Sequence, residues 1–414
     1  MSLIRPFAAL RPTPEHATDV VAPPYDVLNV DEARQRADGR PWSFLHISRP
    51  EIDLPEGTDP YDPSVYAKGA ENLSRMIEAG VLTRDPEDYY YVYRLTMGEH
   101  IQTGLVAVAS VPDYDINRIR KHEFTRPVKE DDRVRQIEAL GAQTGPVFLV
   151  YPQADSIDTV LARTAEGTPE YDVTADDGVR HQIWVLRDAS AIAAITAGFD
   201  AMDAIYIADG HHRSAAASRV YHASCSDSEE RHSGNESSAY FLSVIFPHHE
   251  MKILDYNRVI TDLHGLDTET FLARVAERFD IEMVDTACKP GGHAEFGMYL
   301  GNRWYRLNLH PEHIPGDDPV ASLDVSLLQN NLIDPILAIE DPRRDKRIDF
   351  VGGIRGLQEL EKRVDSGAMA VAFALYPTSM EALMAVADAN EVMPPKSTWF
   401  EPKLADGLLS HMLD

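Results

Sequence analysis

The stretch 205–217 constrains the fold more than any other, because it joins an apolar run, a tight turn and a run of small residues. Residues 205–208 are apolar and partly β-branched, as in a short buried strand. Gly210 lets the backbone turn sharply after Asp209, and the small residues from 214 to 220 favour a helix. The pattern therefore predicts a buried strand that passes directly into a helix.

The turn itself carries polar groups that suit an anion. The first N–H groups of a helix lack partners within it, and the helix dipole favours negative charge at this end. Asp209 can cap the helix with its carboxylate, and His211, His212 and Arg213 crowd the same place. Because a guanidinium can form two hydrogen bonds to one phosphate, the turn predicts a phosphate cradle. A metal site and a plain structural cap are the alternatives.

The string Ala-Asp-Gly-His-His-Arg at residues 208–213 resembles the signature of the ParB/sulfiredoxin-like fold, in particular its free serine kinase branch. Kinases of that branch transfer a phosphoryl group from a nucleotide to the hydroxyl of free serine. Over its whole length the chain is similar to a bacterial family known as domain of unknown function 1015. The resemblance implies a ParB/sulfiredoxin-like core around the turn, with ATP or ADP and Mg²⁺ as cofactors.

A second polar segment lies at 117–135, and within its part 119–129 basic residues surround Glu123, the one carboxylate of that part. A lone carboxylate near a phosphate site can act as general base for a hydroxyl nucleophile. The free serine kinases use a glutamate upstream of the Asp-Gly-His-His-Arg string, and the resemblance implies that role for Glu123. Lys121, Arg126 and Lys129 are candidate contacts to phosphate oxygens. The alternative is an ordinary solvated helix and loop.

The N-terminal region offers a weaker signal. Residues 42–50 favour a strand with a polar exit at Arg49. Tyr25, Asp26, His46 and Arg49 either serve ordinary packing and capping or form part of a substrate wall.

Composition argues against several classes of protein. The 39 Lys and Arg residues against 67 Asp and Glu residues give a formal net charge of −28, which disfavours a nucleic-acid-binding surface. Cys225 and Cys288 are the two cysteines, which fits a reducing compartment. The N-terminus lacks the apolar core of a signal peptide, and no apolar window is long enough to span a membrane. We expect a cytoplasmic protein.

Strand and helix patterns alternate along the chain and predict an α/β fold with mixed sheets. A shift in composition near Thr261 predicts an N-terminal unit, 1–260, and a C-terminal α/β unit, 261–414. The second unit ends in a Pro- and Lys-rich arm at 392–403, which contains Lys396, Ser397, Thr398 and Lys403. This stiff arm could reach back to close the phosphate site. No Walker-type glycine loop is present.

The leading hypothesis is a nucleotide-dependent phosphotransferase that acts on the hydroxyl of a small metabolite. The candidate catalytic residues are Glu123, Asp209 and His212, and Asp209 is also the candidate Mg²⁺ ligand. The candidate nucleotide-binding residues are Gly210, His211, Arg213, Lys121, Arg126, Lys129 and Lys396. A metal-dependent phosphatase using Asp209, His211, His212, His248 and His249, and a non-catalytic nucleotide-binding module, are the alternatives. The expected partners are a nucleotide and a hydroxylated metabolite, with a homodimer left open.

Overall fold

The computed structural model describes residues 2–227 and 234–414. The chain divides into two compact units: the first contains Met1–Met251 together with Pro402–Asp414, and the second contains Lys252–Glu401. The division therefore lies between 251 and 252, where the sequence suggested 260, and the last residues of the chain belong to the first unit.

The strands of the described residues are short to medium in length. In chain order they are β1 (Ile4–Arg5), β2 (Leu10–Pro12), β3 (Leu82–Arg84), β4 (Tyr90–Met97), β5 (His100–Ser110), β6 (Ile119–Arg120), β7 (Ala142–Gln143), β8 (Val147–Tyr151), β9 (Tyr171–Thr174), β10 (Arg180–Leu186), β11 (Ile205–Asp209), β12 (Tyr240–Pro247), β13 (Lys252–Leu254), β14 (Tyr256–Ile260), β15 (Phe279–Val284), β16 (Glu295–Leu300), β17 (Arg303–Leu309), β18 (Ile348–Gly352), β19 (Val371–Leu375), β20 (Trp399–Glu401) and β21 (His411–Met412).

The α-helices lie between groups of these strands in the sequence. They are α1 (Ala17–Val20), α2 (Val30–Ala37), α3 (Leu45–Ser48), α4 (Pro63–Glu78), α5 (Val111–Asp115), α6 (Pro127–Leu140), α7 (Asp155–Thr164), α8 (Ala189–Asp200), α9 (His211–Asp227), α10 (Thr268–Val275), α11 (Asp324–Leu328), α12 (Asp334–Leu337), α13 (Leu357–Asp365) and α14 (Met380–Asp388). Among the described residues, no helix combines the length and apolar character needed to cross a membrane. The prediction of an α/β fold with mixed sheets is confirmed.

The first unit is built on a nine-stranded sheet in the order β6-β11-β8-β12-β5-β4-β10-β9, with β1 paired to β5. The β6–β11 and β8–β12 pairs are parallel, and the other pairs of this sheet are antiparallel. Its central strands pack closely, since a Cβ on Gly104 of β5 would lie 2.7 Å from the carbonyl oxygen of Ile245 in β12. Glycine is therefore required there for the two strands to pair.

The second unit is built on a six-stranded sheet in the order β15-β17-β16-β19-β14-β18, in which every neighbouring pair is antiparallel. The strands β13 and β20 form a separate antiparallel pair. A core of apolar and aromatic side chains, including Val259, Tyr299, Trp304 and Leu360, packs helix α13 onto one face of the large sheet.

Candidate functional site

The strand, turn and helix predicted at 205–217 form the candidate site in the first unit. Strand β11 runs parallel to β6 and antiparallel to β8, and its register shifts between Ile207 and Asp209. Such a bulge redirects the side chains at the end of a strand. Helix α9 begins at His211, three residues earlier than the composition suggested, so both histidines and Arg213 belong to its first turn.

Gly210 makes the turn possible. Its φ of +96° lies in the region that favours glycine, and a Cβ there would lie 3.1 Å from Nε of Arg213 and 3.3 Å from Cα of Val147. Any side chain at this position would therefore meet both backbone strain and a close contact.

The carboxylate of Asp209 is held between donors. Its Oδ1 accepts the N–H of Gly210 at 2.7 Å, and its Oδ2 accepts from Nζ of Lys403 at 3.2 Å. Burial alone would raise the pKa of this carboxyl, but the charges of Lys403 and Arg213 outweigh it and lower the pKa below its usual range. Asp209 is therefore ionised at neutral pH.

Lys403 is not among the predicted site residues, although it lies in the arm 392–403 that was predicted to close the site. It lies at the start of the segment Pro402–Asp414, which belongs to the first unit. Lys396, the lysine that was chosen, belongs to the second unit, where its Nζ lies 5.5 Å from the centre of the Tyr256 ring. The arm therefore supplies Lys403 as the lysine that contacts Asp209, and a role for Lys396 in nucleotide binding stays a prediction.

Arg213 is turned toward the protein in this structure. A nitrogen of its guanidinium donates to the carbonyl oxygen of Pro146, and another lies 3.9 Å from Oδ1 of Asp209. Burial alone would lower the pKa of Arg213, but Asp209 and Asp26 raise it, so the positive charge is retained. With only 13% of the side chain exposed, Arg213 contributes a fixed positive charge beneath the turn.

His211 is a neutral imidazole whose tautomer follows from its partners. Its Nε2 accepts the backbone N–H of His122 at 3.4 Å, so the ring proton resides on Nδ1. Nδ1 lies 3.8 Å from Oε2 of Glu123. Burial and the neighbouring His122 lower the pKa of His211 well below its usual value.

Glu123 thus lies beside His211, the first residue of α9, although the two are 88 positions apart in the sequence. Its side chain is 54% exposed, so its carboxylate is open to solvent. Neighbouring His122 is buried, its Nδ1 has no hydrogen-bond partner in the described part of the chain, and burial lowers its pKa to about 4. The ring of His122 packs edge-on against that of His211, with 4.5 Å between centroids.

His212 joins α9 to the loop that ends at Arg126, just before α6. Its Nε2 accepts the backbone N–H of Arg126 at 3.0 Å, and Arg126 is the residue that precedes α6. This nitrogen is therefore engaged in holding the loop, and burial lowers the pKa of the ring. The structure gives the candidate catalytic residue His212 a positioning contact.

The predicted cations have different neighbours. Lys121 lies over the ring of Tyr114, with Nζ 3.9 Å from its centre, and burial lowers its pKa. The Nζ of Lys129 donates to the hydroxyl of Tyr61 at 3.1 Å. Arg126 is exposed. Lys129 also lines a cavity of about 360 Å³ together with Tyr25, Asp26, Arg49 and Arg133.

Two charged residues, Arg133 and Asp406, are absent from the predicted site, and both line a neighbouring cavity together with Tyr25 and Arg213. Arg133 donates to Oδ2 of Asp132 at 2.6 Å and lies over the ring of Tyr25 at 3.9 Å. Asp406 is 3% exposed, and burial raises its pKa to about 7 against the opposing charge of Arg213. Of the N-terminal candidates, Tyr25, Asp26 and Arg49 reach the cavity of about 360 Å³, whereas Nδ1 of His46 pairs with Asp53 at 2.8 Å.

Several donor atoms at the turn already have other partners, and the role of Asp209 as an Mg²⁺ ligand stays a prediction. Asp209 supplies one carboxylate, and the ammonium of Lys403 lies where a dication would approach its Oδ2. The Nε2 atoms of His211 and His212 accept backbone N–H groups, and Nδ1 of His248 accepts that of Gln153. Within residues 2–227 and 234–414, a cluster with metal-ligand spacing occurs elsewhere, in the second unit.

A family model described as a protein of unknown function, DUF1015, matches residues 4–326. The chain belongs to this family. No curated protein matches it.

Solved structures give distant likenesses. A free serine kinase mutant in complex with AMP has 12% identity and a TM-score of 0.36, over 71% of this chain and 87% of that chain. A conserved hypothetical protein from Pyrococcus furiosus has 13% identity and a TM-score of 0.33, over 73% and 94%. SbnI with a C-terminal truncation, from Staphylococcus aureus, has 13% identity and a TM-score of 0.30, over 72% and 84%. Likenesses at these TM-scores do not establish shared chemistry.

Proposed function

We propose that the protein is a nucleotide-dependent phosphotransferase whose acceptor is the hydroxyl of a small metabolite. The nucleotide phosphates bind at the start of α9, where the positive end of the helix, Lys403 and the buried charge of Arg213 favour an anion. The resemblance of residues 208–213 to the free serine kinase signature supports this choice over other anions.

One observation carries the proposal: Oε2 of Glu123 lies 3.8 Å from Nδ1 of His211, and the glutamate side chain is half exposed. A solvent-accessible carboxylate next to a phosphate seat can take the proton from an incoming hydroxyl. His211 is neutral and carries its ring proton on Nδ1, 3.8 Å from this carboxylate, so we assign it a positioning role for Glu123.

In the proposed reaction the acceptor oxygen bonds to the terminal phosphorus while the bond from phosphorus to the bridging oxygen breaks. Glu123 receives the hydroxyl proton, and the nucleotide leaves as ADP from ATP or as AMP from ADP. The charge on the moving phosphoryl group is offset by Lys403 and by the first turn of α9. Mg²⁺ carried by the nucleotide would further neutralise the negative charge of the phosphate groups. This does not require Asp209 as a ligand.

The test is phosphoryl transfer from terminally radiolabelled ATP and ADP to a panel of hydroxylated metabolites that includes free serine. The variant Glu123→Gln removes the proton acceptor and nearly preserves shape. We expect its turnover to fall by about 10²- to 10⁴-fold, while nucleotide affinity, measured by calorimetry, stays close to that of the wild type. The matched control is Glu138→Gln, an exposed glutamate on α6, which should keep full turnover.

Three outcomes would contradict the proposal. Full turnover in Glu123→Gln would show that Glu123 is not the general base. Nucleotide binding without transfer to any acceptor would favour the non-catalytic module. Metal-dependent release of inorganic phosphate from phosphomonoesters, without use of a nucleotide donor, would favour the phosphatase.

A further inference from the structure

The turn after β17 in the second unit carries the sequence His310-Pro-Glu-His313. Pro311–His313 form a 3₁₀ helix, and the N–H of His313 donates to the carbonyl oxygen of His310 at 3.0 Å. Residues three apart on a 3₁₀ helix lie one above the other. The two imidazoles are accordingly stacked, with 6.3 Å between ring centroids and 22° between planes.

Glu312 completes a set of three donors. One ligand atom from each of His310, Glu312 and His313 can be chosen so that all lie within 4.8 Å of one another. Zinc binds imidazole nitrogen and carboxylate oxygen at about 2.0–2.2 Å, which places tetrahedral ligands roughly 3.3 Å apart. Side-chain movements of about 1 Å would bring the three atoms to that separation, and the two partly exposed imidazoles and the exposed Glu312 can make them.

We propose that His310, Glu312 and His313 form a binding site for one zinc-class dication. Two imidazoles and one carboxylate suit Zn²⁺ and its neighbours in the transition series, whereas Mg²⁺ and Ca²⁺ prefer oxygen donors throughout. Three protein ligands leave a further position for water.

Asp280 supports this assignment from the neighbouring edge strand. Its Oδ1 lies 3.4 Å from Nε2 of His310, and it belongs to β15, which pairs with β17 at Asp280–Asn308. A carboxylate that accepts the second ring N–H of a metal-bound histidine fixes its tautomer and orientation. His310 would then bind the ion through Nδ1. Through His310 and Asp280, the ion would connect the turn to strand β15 at the edge of the six-stranded sheet.

The test is titration of the full-length, chelator-treated protein with ZnCl₂ by calorimetry. We expect one high-affinity Zn²⁺ per chain and a rise in melting temperature when it binds. His313→Ala should abolish that binding event, Glu312→Gln should weaken it by at least about tenfold, and Asp280→Asn should weaken it by about 10- to 100-fold. Circular dichroism of the metal-free variants establishes that they fold.

The matched control is His264→Asn, an exposed histidine of the same unit whose positive φ asparagine tolerates. It should keep the wild-type stoichiometry and affinity. Zinc binding that His313→Ala leaves unchanged, or no zinc binding up to millimolar concentration by the wild type, would overturn the proposal.

Discussion

The two units place their polar chemistry differently. In the first unit, β11 has a parallel neighbour on one side and an antiparallel neighbour on the other, and charged groups lie buried or half-buried around its end. In the second unit every pair in the large sheet is antiparallel, and its cluster of metal-binding residues lies on a partly exposed turn. Buried charges must be paired to be tolerated, whereas exposed ones need not be. The charges of the first site therefore depend on one another for stability, whereas the exposed residues of the second do not need a partner to be tolerated.

The largest expected effect comes from removing Arg213. The variant Arg213→Ala removes one of the two cations that lower the pKa of Asp209 and the cation that opposes the effect of burial on Asp406. Breaking a buried charge pair typically costs about 3–5 kcal/mol of the free energy of unfolding, and because 36% of the Asp209 side chain is exposed, we expect the lower end of that range. Urea unfolding followed by far-UV circular dichroism measures the change.

The comparison from the second unit is Arg343→Ala. Arg343 forms an exposed pair with Asp341 at 2.9 Å, and exposed pairs contribute little to stability. We expect no resolvable change. Equal losses of unfolding free energy in the two variants would show that the burial of Arg213 does not determine how much it contributes to stability.

The next effect is a pH dependence that belongs to Asp406. Burial raises the pKa of Asp406 to about 7 from an unfolded value of 3.8. Between these values the folded state holds a proton that the unfolded state releases, so stability falls as pH rises, on the order of 1.4 kcal/mol per pH unit. The variant Asp406→Asn has no titrating group at this position and does not lose stability in this way. Its free energy of unfolding should therefore rise progressively above that of the wild type from pH 4 to 7. Above pH 7 the difference between the two should stay constant. Urea unfolding across this range measures the gap.

Asp341→Asn in the second unit provides the opposite case. Its hydrogen bond with Arg343 lowers the pKa of Asp341, so the stability it contributes is complete above the unfolded pKa and is lost as pH falls below it. The gap between this variant and the wild type should stay flat from pH 5 to 7. A gap for Asp406→Asn that is equally flat would contradict a raised pKa.

Local sequence patterns predicted part of the secondary structure of this molecule. The apolar run and glycine at 205–210 predicted a strand, a turn and a helix, because those features are set by neighbours in the sequence. Residues 42–50 were predicted to be a strand and instead contain α3, since the buried side chains of Leu45 and Ile47 pack into a helical core cluster. Tertiary packing overrides propensity in so short a segment.

The candidate site shows the same limit. Glu123 and His211 were each selected from the sequence, but their proximity depends on the pairing of β6 with β11. Lys403 and Asp406 enter through the return of the last residues to the first unit. No local pattern determines which lysine of the arm meets Asp209, because that choice depends on contacts between residues almost 200 positions apart.

The smallest expected effect tests whether the units differ in anything besides their charged sites. The side chain of Asn29 accepts the N–H of Glu32 at 2.9 Å at the start of α2, and that of Ser379 accepts the N–H of Ala382 at 3.1 Å at the start of α14. Both caps are exposed, so Asn29→Ala and Ser379→Ala should each cost about 1 kcal/mol of unfolding free energy. Asn29→Asp and Ser379→Thr keep an acceptor oxygen and should retain most of the stability that the alanine variants lose.

Because capping involves only adjacent backbone groups, its contribution does not depend on the kind of sheet behind the helix. A cap loss confined to one unit in urea unfolding would mean that the contrast between the units extends beyond their buried charges.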